Sequence, residues 1–351
     1  MTPQPPPSMP GDIGFAIVGL RRGYQAAKEA AATKGAKLVA VADLDVPRAQ
    51  EVAKELGCEW TNDYRTLLRR DDIQVVGAWT PSGAHGMVAR DALNAGKHAV
   101  STKPMETTVA KCDAVIEAAR KRNLLFAIDF GNRYRPEVRQ VKRAVDQGEF
   151  GKLLFGNAHM WEYRSQYYYD SRGGWRGTWE MDGGGSIMNQ GVHSVDVFLW
   201  LMGKVDRIEY ARYEARTHEI ETEDSTQAIL TFKDGAWGTI LMTTSHYPSI
   251  RGQVHISGDR GSAVIQGGKI DHWKFLTDAP YEPKEFGTPP EREVVIPPEE
   301  NAPANWCEDV VSALTKGTKV ACDGIEGRRS VLVNQAIYEC ARTGKPVAVN
   351  E

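Results

Sequence analysis

Gly14-Phe15-Ala16-Ile17-Val18-Gly19-Leu20-Arg21-Arg22-Gly23 opens the first patterned stretch of the chain, and its reading decides the fold. An uninterrupted apolar run fits a strand buried on both faces, and the glycine that stops it fits a tight turn. The segment that follows, Tyr24 to Thr33, carries Ala26-Ala27-Lys28-Glu29-Ala30-Ala31-Ala32 and is a strong helix former. Strand, glycine turn and helix in this order is how a dinucleotide pyrophosphate meets a helix N-terminus. Arg21 stands where the fingerprint has its second glycine, so a plain strand-to-helix turn accounts for the pattern equally well. Arg21 or Arg22 can instead pair a phosphate through the guanidinium.

Working outward, Lys37 to Asp43 reads as a second apolar strand and Val46 to Leu56 as a helix with Pro47 in its first turn. Gln74 to Trp79, His98 to Ser101 and Leu124 to Ile128 read as further strands. Helices over Gly86 to Ala95 and Val109 to Arg122 separate them. Alternation with short connections predicts a doubly wound parallel sheet, an α/β Rossmann domain over residues 13–135. Residues 1–12 are proline-rich and read as a disordered arm. Beyond a linking helix at Pro136 to Gln147 the pattern turns to alternating strands, from Leu153 to Trp161 through Ala263 to Gln266. One helix, Gly191 to Met202, interrupts them, and helices near Asn305 to Thr315 and Glu326 to Arg342 close the chain. Residues 136–351 therefore read as an α+β domain with a mostly antiparallel open sheet. Its uncovered face predicts a homodimer or homotetramer.

With 351 residues the chain exceeds the usual single-domain size, which agrees with two domains. A net charge of −3 offers no electrostatic footprint for nucleic acid or an anionic membrane. No apolar run approaches the roughly 20 residues that span a bilayer. The start has neither the basic region nor the apolar core of a signal peptide. Five scattered cysteines without metal-ligand spacing predict free thiols in a cytoplasmic protein and no metal site.

The candidate chemistry gathers at strand ends and at one glycine-rich turn. Asp43 ends the second strand about 20 residues after the glycines, where a carboxylate bonds the ribose hydroxyls of NAD and repels the 2′-phosphate of NADP. A helix-capping role is its structural alternative. Thr80-Pro81 closes the third strand, followed by His85, which could equally be a satisfied structural histidine. Lys103-Pro104 closes the next strand, leaving a lysine at the mouth of the ligand crevice; a solvated surface lysine is the alternative. In Gly183-Gly184-Gly185-Ser186-Ile187-Met188-Asn189-Gln190-Gly191-Val192-His193-Ser194-Val195-Asp196, positions 189 and 193 share one face if the segment is helical. His193 titrates near neutral pH and suits a general base, while Asn189 can orient a hydroxyl. Asp196 can hold the imidazole or simply be solvated. Tyr163, Arg164, Trp175 and Arg176 supply aromatic faces and cationic forks suited to sugar rings and anionic groups, and equally to packing.

These residues resemble the glucose–fructose oxidoreductase / inositol dehydrogenase / MocA family. The carriers are the Gly19 turn, Asp43, Thr80-Pro81 with His85, Thr102-Lys103-Pro104 where the family usually has Glu-Lys-Pro, and Gly183 to Asp196. The stretch Trp175 to His193 is similar to the branch of UDP-N-acetyl-2-amino-2-deoxyglucuronate 3-dehydrogenases, which also has Asn at position 189. The resemblance implies NAD as cofactor. It implies hydride transfer at a secondary ring hydroxyl of a sugar, sugar nucleotide or inositol held between the domains. It makes Lys103, His193 and Asn189 the catalytic set. Gly19, Leu20, Arg21, Arg22, Asp43, Thr80, Pro81, His85 and Lys103 would bind cofactor. Arg133, Tyr163, Arg164, Trp175, Arg176 and Asn189 would bind substrate. Arg21, Thr102 and Asn301 depart from the family pattern. Two alternatives follow from the same resemblance: a sensor that binds NAD and a sugar without turnover, and a glycosidase that uses a transient redox step.

Overall fold

Ile13–Val18 is buried at every position and forms strand β1. The computed structural model describes residues 11–171, 173–282 and 287–350, so the first ten residues of the proline-rich arm lie outside it. After β1 come helix α1 (Gly23–Ala32), β2 (Ala36–Ala42), α2 (Val46–Leu56), β3 (Glu59–Thr61) and β4 (Val75–Ala78). Helix α3 (His85–Asn94), β5 (His98–Thr102), α4 (Val109–Arg122) and β6 (Phe126–Asp129) follow. The six strands lie in the order β3-β2-β1-β4-β5-β6, and every pair is parallel. This is the doubly wound order, with its switch point between β1 and β4. Helix ends obey local chemistry. In α2 the Asp45 side chain accepts the Arg48 N–H, and Gly57 ends the helix at φ +66°. The short strand β3 escapes a pattern reading because Glu59 and Trp60 are exposed and leave no apolar run.

The second sheet is built from β7 (Leu153–Tyr163), β8 (Val205–Glu214), β9 (Ser225–Phe232), β10 (Trp237–Thr243), β11 (Ser245–Gly258), β12 (Gly261–Gln266), β13 (Lys269–Leu276), β14 (Glu291–Arg292) and β15 (Val347–Ala348). Its order is β14-β13-β12-β11-β7-β10-β9-β8-β15. All pairs are antiparallel except β10 with β7. Helix α5 (Pro136–Asp146), the short α6 (Gln166–Asp170) and α7 (Val192–Met202) belong to the same unit. Alternate residues of the strands are buried beneath α7, where the Phe198 ring meets Phe232 edge-on at 5.6 Å. The opposite alternation is bare: Phe155 is 53%, Tyr210 52% and Trp237 63% exposed. A sheet with one face covered and one open is the form predicted above.

The chain does not divide at one point. The first unit contains the residues up to Tyr134 together with Thr178–Gly183 and Pro303–Val331, and the second holds the remainder. Helix α8 (Trp306–Lys316) thus returns to the first unit, where Trp306 is buried against Phe15 at 5.8 Å and Trp79 at 4.9 Å. Residues just before α9 (Gly324–Thr343) also join the first sheet, since Asp323 pairs with Ala127 of the edge strand β6 in an isolated bridge. A single cut near residue 135 misses these returns because the apolar face of α8 carries no mark of which sheet it covers.

Candidate functional site

The turn after β1 shows what each of its residues can do. Gly19 has φ +87°, and a Cβ there would lie 2.6 Å from the Trp79 carbonyl oxygen, so the turn requires glycine. Asp43 at the end of β2 closes on it: its carboxylate accepts the Leu20 N–H at 2.6 Å and the Asp45 N–H at 2.9 Å. Helix α1 begins without a side-chain cap and without an acidic residue in its first turn. The Gln25 N–H bonds the Arg22 carbonyl at 3.3 Å, and the helix start as a whole, without a side-chain cap, suits an external anion. Arg21 points outward and pairs with Asp45 at 3.0 Å, its side chain 58% exposed. The positive-φ residues other than glycine among the described ones are Asn123 and Asn301, so Arg21 fits the turn without left-handed strain. These features fit a dinucleotide: a glycine-tight turn, an uncapped helix start and a carboxylate at the ribose position.

Farther along the same strand ends, Thr80, Pro81 and Lys103 are half-buried. His85 is not free for a cofactor. It is buried, with Nδ1 2.7 Å from the Pro104 carbonyl and Nε2 2.8 Å from the Thr80 carbonyl. In its neutral form the ring donates its one N–H to one of these carbonyls and packs between the turns after β4 and β5. Burial, with a smaller contribution from Lys103, lowers its pKa to about 4 against the pull of both carbonyls. The expectation for Arg133 is also corrected. Its side chain is 2% exposed, donates to the Ala321 carbonyl at 2.8 Å and pairs with Glu326 at 3.3 Å. It ties the turn after β6 to the returning chain, and burial removes it from any substrate.

In the second unit, Ser186–Gln190 form a π turn, and α7 starts only at Val192. The Gly191 N–H bonds the Ser186 carbonyl at 2.7 Å, five residues back. Asn189 and His193 are thus not on one regular α-helix, which corrects the spacing argument; both are half-buried. The cause is Glu223, which sequence reading missed. Its fully buried carboxylate accepts the N–H groups of Gly185 at 3.0 Å, Ser186 at 3.0 Å and Ile187 at 3.3 Å. It also accepts the Ser186 and Tyr338 hydroxyls. A Cβ on Gly185 would fall 1.7 Å from the Glu223 carbonyl oxygen. Burial raises the pKa of Glu223, and these donors oppose the rise. Asp196 is buried within α7.

The aromatic and cationic candidates of this unit gather beside the π turn. Arg164 and Arg176 lie over the Tyr168 ring at 5.5 and 4.6 Å, and Arg176 also lies over Trp175 at 4.7 Å. The Gln190 amide donates to the Tyr168 hydroxyl and sits 3.4 Å from Asn189 Oδ1. Arg164 pairs with Glu162. Tyr163 is exposed and meets Tyr247 edge-on at 5.4 Å. Among the described residues no cluster of three or more His, Cys, Asp or Glu could hold a metal ion. No described helix is long and apolar enough to cross a membrane.

Residues 13–130 match the model of the oxidoreductase family with an NAD-binding Rossmann fold, and residues 138–264 match the GFO/IDH/MocA C-terminal domain. The chain belongs to the GFO/IDH/MocA oxidoreductases. It resembles the WlbA dehydrogenase of Bordetella pertussis, solved with NADH and UDP-GlcNAcA: 30% identity, 97% of this chain, 99% of that one and a TM-score of 0.84. It is also similar to the scyllo-inositol 2-dehydrogenase (NAD(+)) of Bacillus subtilis, 29% identical over 77% of this chain and 78% of that one. The protein is an NAD-binding oxidoreductase with the two-sheet fold of its family.

Proposed function

We infer that the protein is a dehydrogenase acting on a secondary ring hydroxyl of a pyranoside that bears an anionic group. A sugar nucleotide or an acidic sugar meets that description. The observation that carries this reading is the wall beside Asn189, where two guanidinium groups stack on one tyrosine. Such a wall suits a sugar ring with a carboxylate or phosphate attached. The NADH and UDP-GlcNAcA bound by the Bordetella relative lend support. In the proposed reaction NAD supplies the hydride acceptor. Arg22 and the start of α1 hold its phosphates beside the turn that Gly19 and Leu20 shape, Asp43 holds its ribose, and Thr80 and Pro81 border it. Arg21 lies at the rim. His193 removes the hydroxyl proton, Lys103 and Asn189 fix the oxygen, and Tyr163, Arg164, Trp175 and Arg176 hold the rest of the substrate.

We place the protein in the cytoplasm, where its five free cysteines would stay reduced. We further propose a homodimer or homotetramer through the bare face of the second sheet, because Phe155, Tyr210 and Trp237 form an apolar surface there.

The test begins with fluorescence titration of NADH and NADPH, followed by absorbance at 340 nm with acidic sugars and sugar nucleotides. Saturable NADH binding and NADH formation are expected, and His193→Ala should lower kcat by about two to four orders of magnitude. A loss below a few-fold would move the base role to Lys103. A folded protein that binds neither cofactor would overturn the reading. Sugar release without net NADH would replace it with the redox-assisted glycosidase.

A further inference from the structure

Two carboxylates stand two residues apart on the turn after β2, and they hold different parts of the turn after β1. Asp43 accepts the Leu20 N–H at 2.6 Å. Asp45 Oδ2 accepts from Nη2 of Arg21, the next residue along, at 3.0 Å. Asp45 is itself anchored twice. Its other oxygen caps α2 by accepting the Arg48 N–H at 3.2 Å, and its own N–H donates to Asp43 Oδ1 at 2.9 Å. A second guanidinium beside the turn is engaged as well. Arg48 lies over the Tyr24 ring at 4.6 Å, places Nε 3.4 Å from the Leu20 carbonyl and pairs with Glu51 at 2.7 Å.

NADH and NADPH differ at the adenosine ribose, where the 2′-hydroxyl of one carries a phosphate in the other. A phosphate monoester has a charge of about −1.5 to −2 at neutral pH. A carboxylate at the end of β2 accepts from the hydroxyl and repels the phosphate, so NADPH needs a cation at that place. Arg21 has the chemistry to supply it, and Asp45 holds Arg21. We propose that Asp45 is a second determinant of cofactor choice, a positioning residue that keeps the Arg21 guanidinium from the 2′-phosphate of NADPH. The preference for NADH then has two sources. Asp43 acts on the nucleotide directly, and Asp45 acts through the arginine it occupies. With side chains 58% and 37% exposed, the Arg21–Asp45 pair is weak in itself. Its effect comes from the charge that breaking it exposes: a 2′-phosphate that drew Arg21 away would leave the Asp45 carboxylate unneutralised beside it. This rests on the placement of the ribose at Asp43 and is independent of which sugar is oxidised.

The experiment is fluorescence titration of NADH and NADPH against the full-length protein and its variants, read as dissociation constants without turnover. Asp45→Asn removes the charge and keeps the cap, since Asn and Asp cap helices about equally well. NADPH should bind it about tenfold more tightly, the effect of one freed guanidinium on a phosphate, while NADH stays within about threefold. Arg21→Gly in the Asp45→Asn background should return NADPH to within about threefold of the wild type. An NADPH constant that does not move in Asp45→Asn overturns the proposal. A gain that survives Arg21→Gly also overturns it, because the new amide and not the arginine would then hold the phosphate. An equal gain for NADH overturns it too, since the freed charge would be acting on the pyrophosphate that both nucleotides share. Should Asp45→Asn not fold, Asp45→Ser caps the helix without a charge and carries the same expectations. A folded wild-type protein that binds neither nucleotide overturns the cofactor placement and this proposal with it, whereas failure of this proposal alone leaves NADH binding intact.

Discussion

Two glycine-rich turns lead the chain into helices, one in each sheet's unit, and they use their backbone N–H groups in opposite ways. After Gly19 the start of α1 is uncapped, and no acidic residue occupies its first turn. After Gly184 the N–H groups of Gly185, Ser186 and Ile187 are all taken by one internal carboxylate, Glu223. Both turns are anion sites by the same electrostatics. At the first, Asp43 takes the Leu20 N–H but leaves the helix start without a side-chain cap for a ligand's phosphates; at the second, one internal carboxylate takes all three N–H groups. A glycine turn before a helix therefore signals an anion but not its source. The source is settled by whether a buried carboxylate from elsewhere in the chain already sits there.

The comparison can be broken at either turn. The largest effect is expected at the filled one. Glu223→Gln puts an N–H₂ group among donors that need an acceptor, and should cost about 3 kcal/mol of stability, measured by urea unfolding. Turnover should fall with the loosened π turn, while NADH affinity stays within about twofold, because the open turn is untouched. If stability holds, Glu223 is not the organising anion. A smaller effect is expected at the open turn's own carboxylate. Asp43→Ala should reduce the preference for NADH over NADPH by about tenfold, the worth of one charge-assisted bond to the ribose plus the lost repulsion. An unchanged ratio of the two dissociation constants would assign Asp43 to holding Leu20 alone. The smallest belongs to Arg21. It is exposed and its pairing with Asp45 is a surface ion pair worth less than about 1 kcal/mol, so Arg21→Gly should change the NADH dissociation constant by less than about threefold. A larger loss would make Arg21 a phosphate ligand.

The first of these turns was largely legible in sequence, and the second only in part. The β1 turn, Asp43 and the strand ends at Thr80 and Lys103 are read from local signals: an apolar run, a glycine, a spacing. The filled turn showed its glycines and its polar residues but not its geometry. Glu223 lies 37 residues from Ser186 and carries no motif, so nothing local announces the clamp that winds Ser186–Gln190 into a π turn. Arg133 and His85 show the opposite case, and for His85 the structural alternative is the one its partners favour. Both look like ligand contacts by type and position, yet backbone carbonyls brought by other segments had already claimed them. Local pattern locates an element's end; only long-range packing says which groups there are already spoken for.

The return of α8 to the first unit bears on how the protein is made. Trp306 fills the space between Phe15 and Trp79, yet it leaves the ribosome roughly 290 residues after Phe15, so this contact spans most of the chain. The first sheet can begin to pair early in synthesis, but its core lacks a large aromatic plug until translation is almost complete. During that interval the nascent Rossmann half carries an uncovered apolar patch, the kind of surface that chaperones hold. An isolated fragment ending near residue 135 would keep that patch permanently.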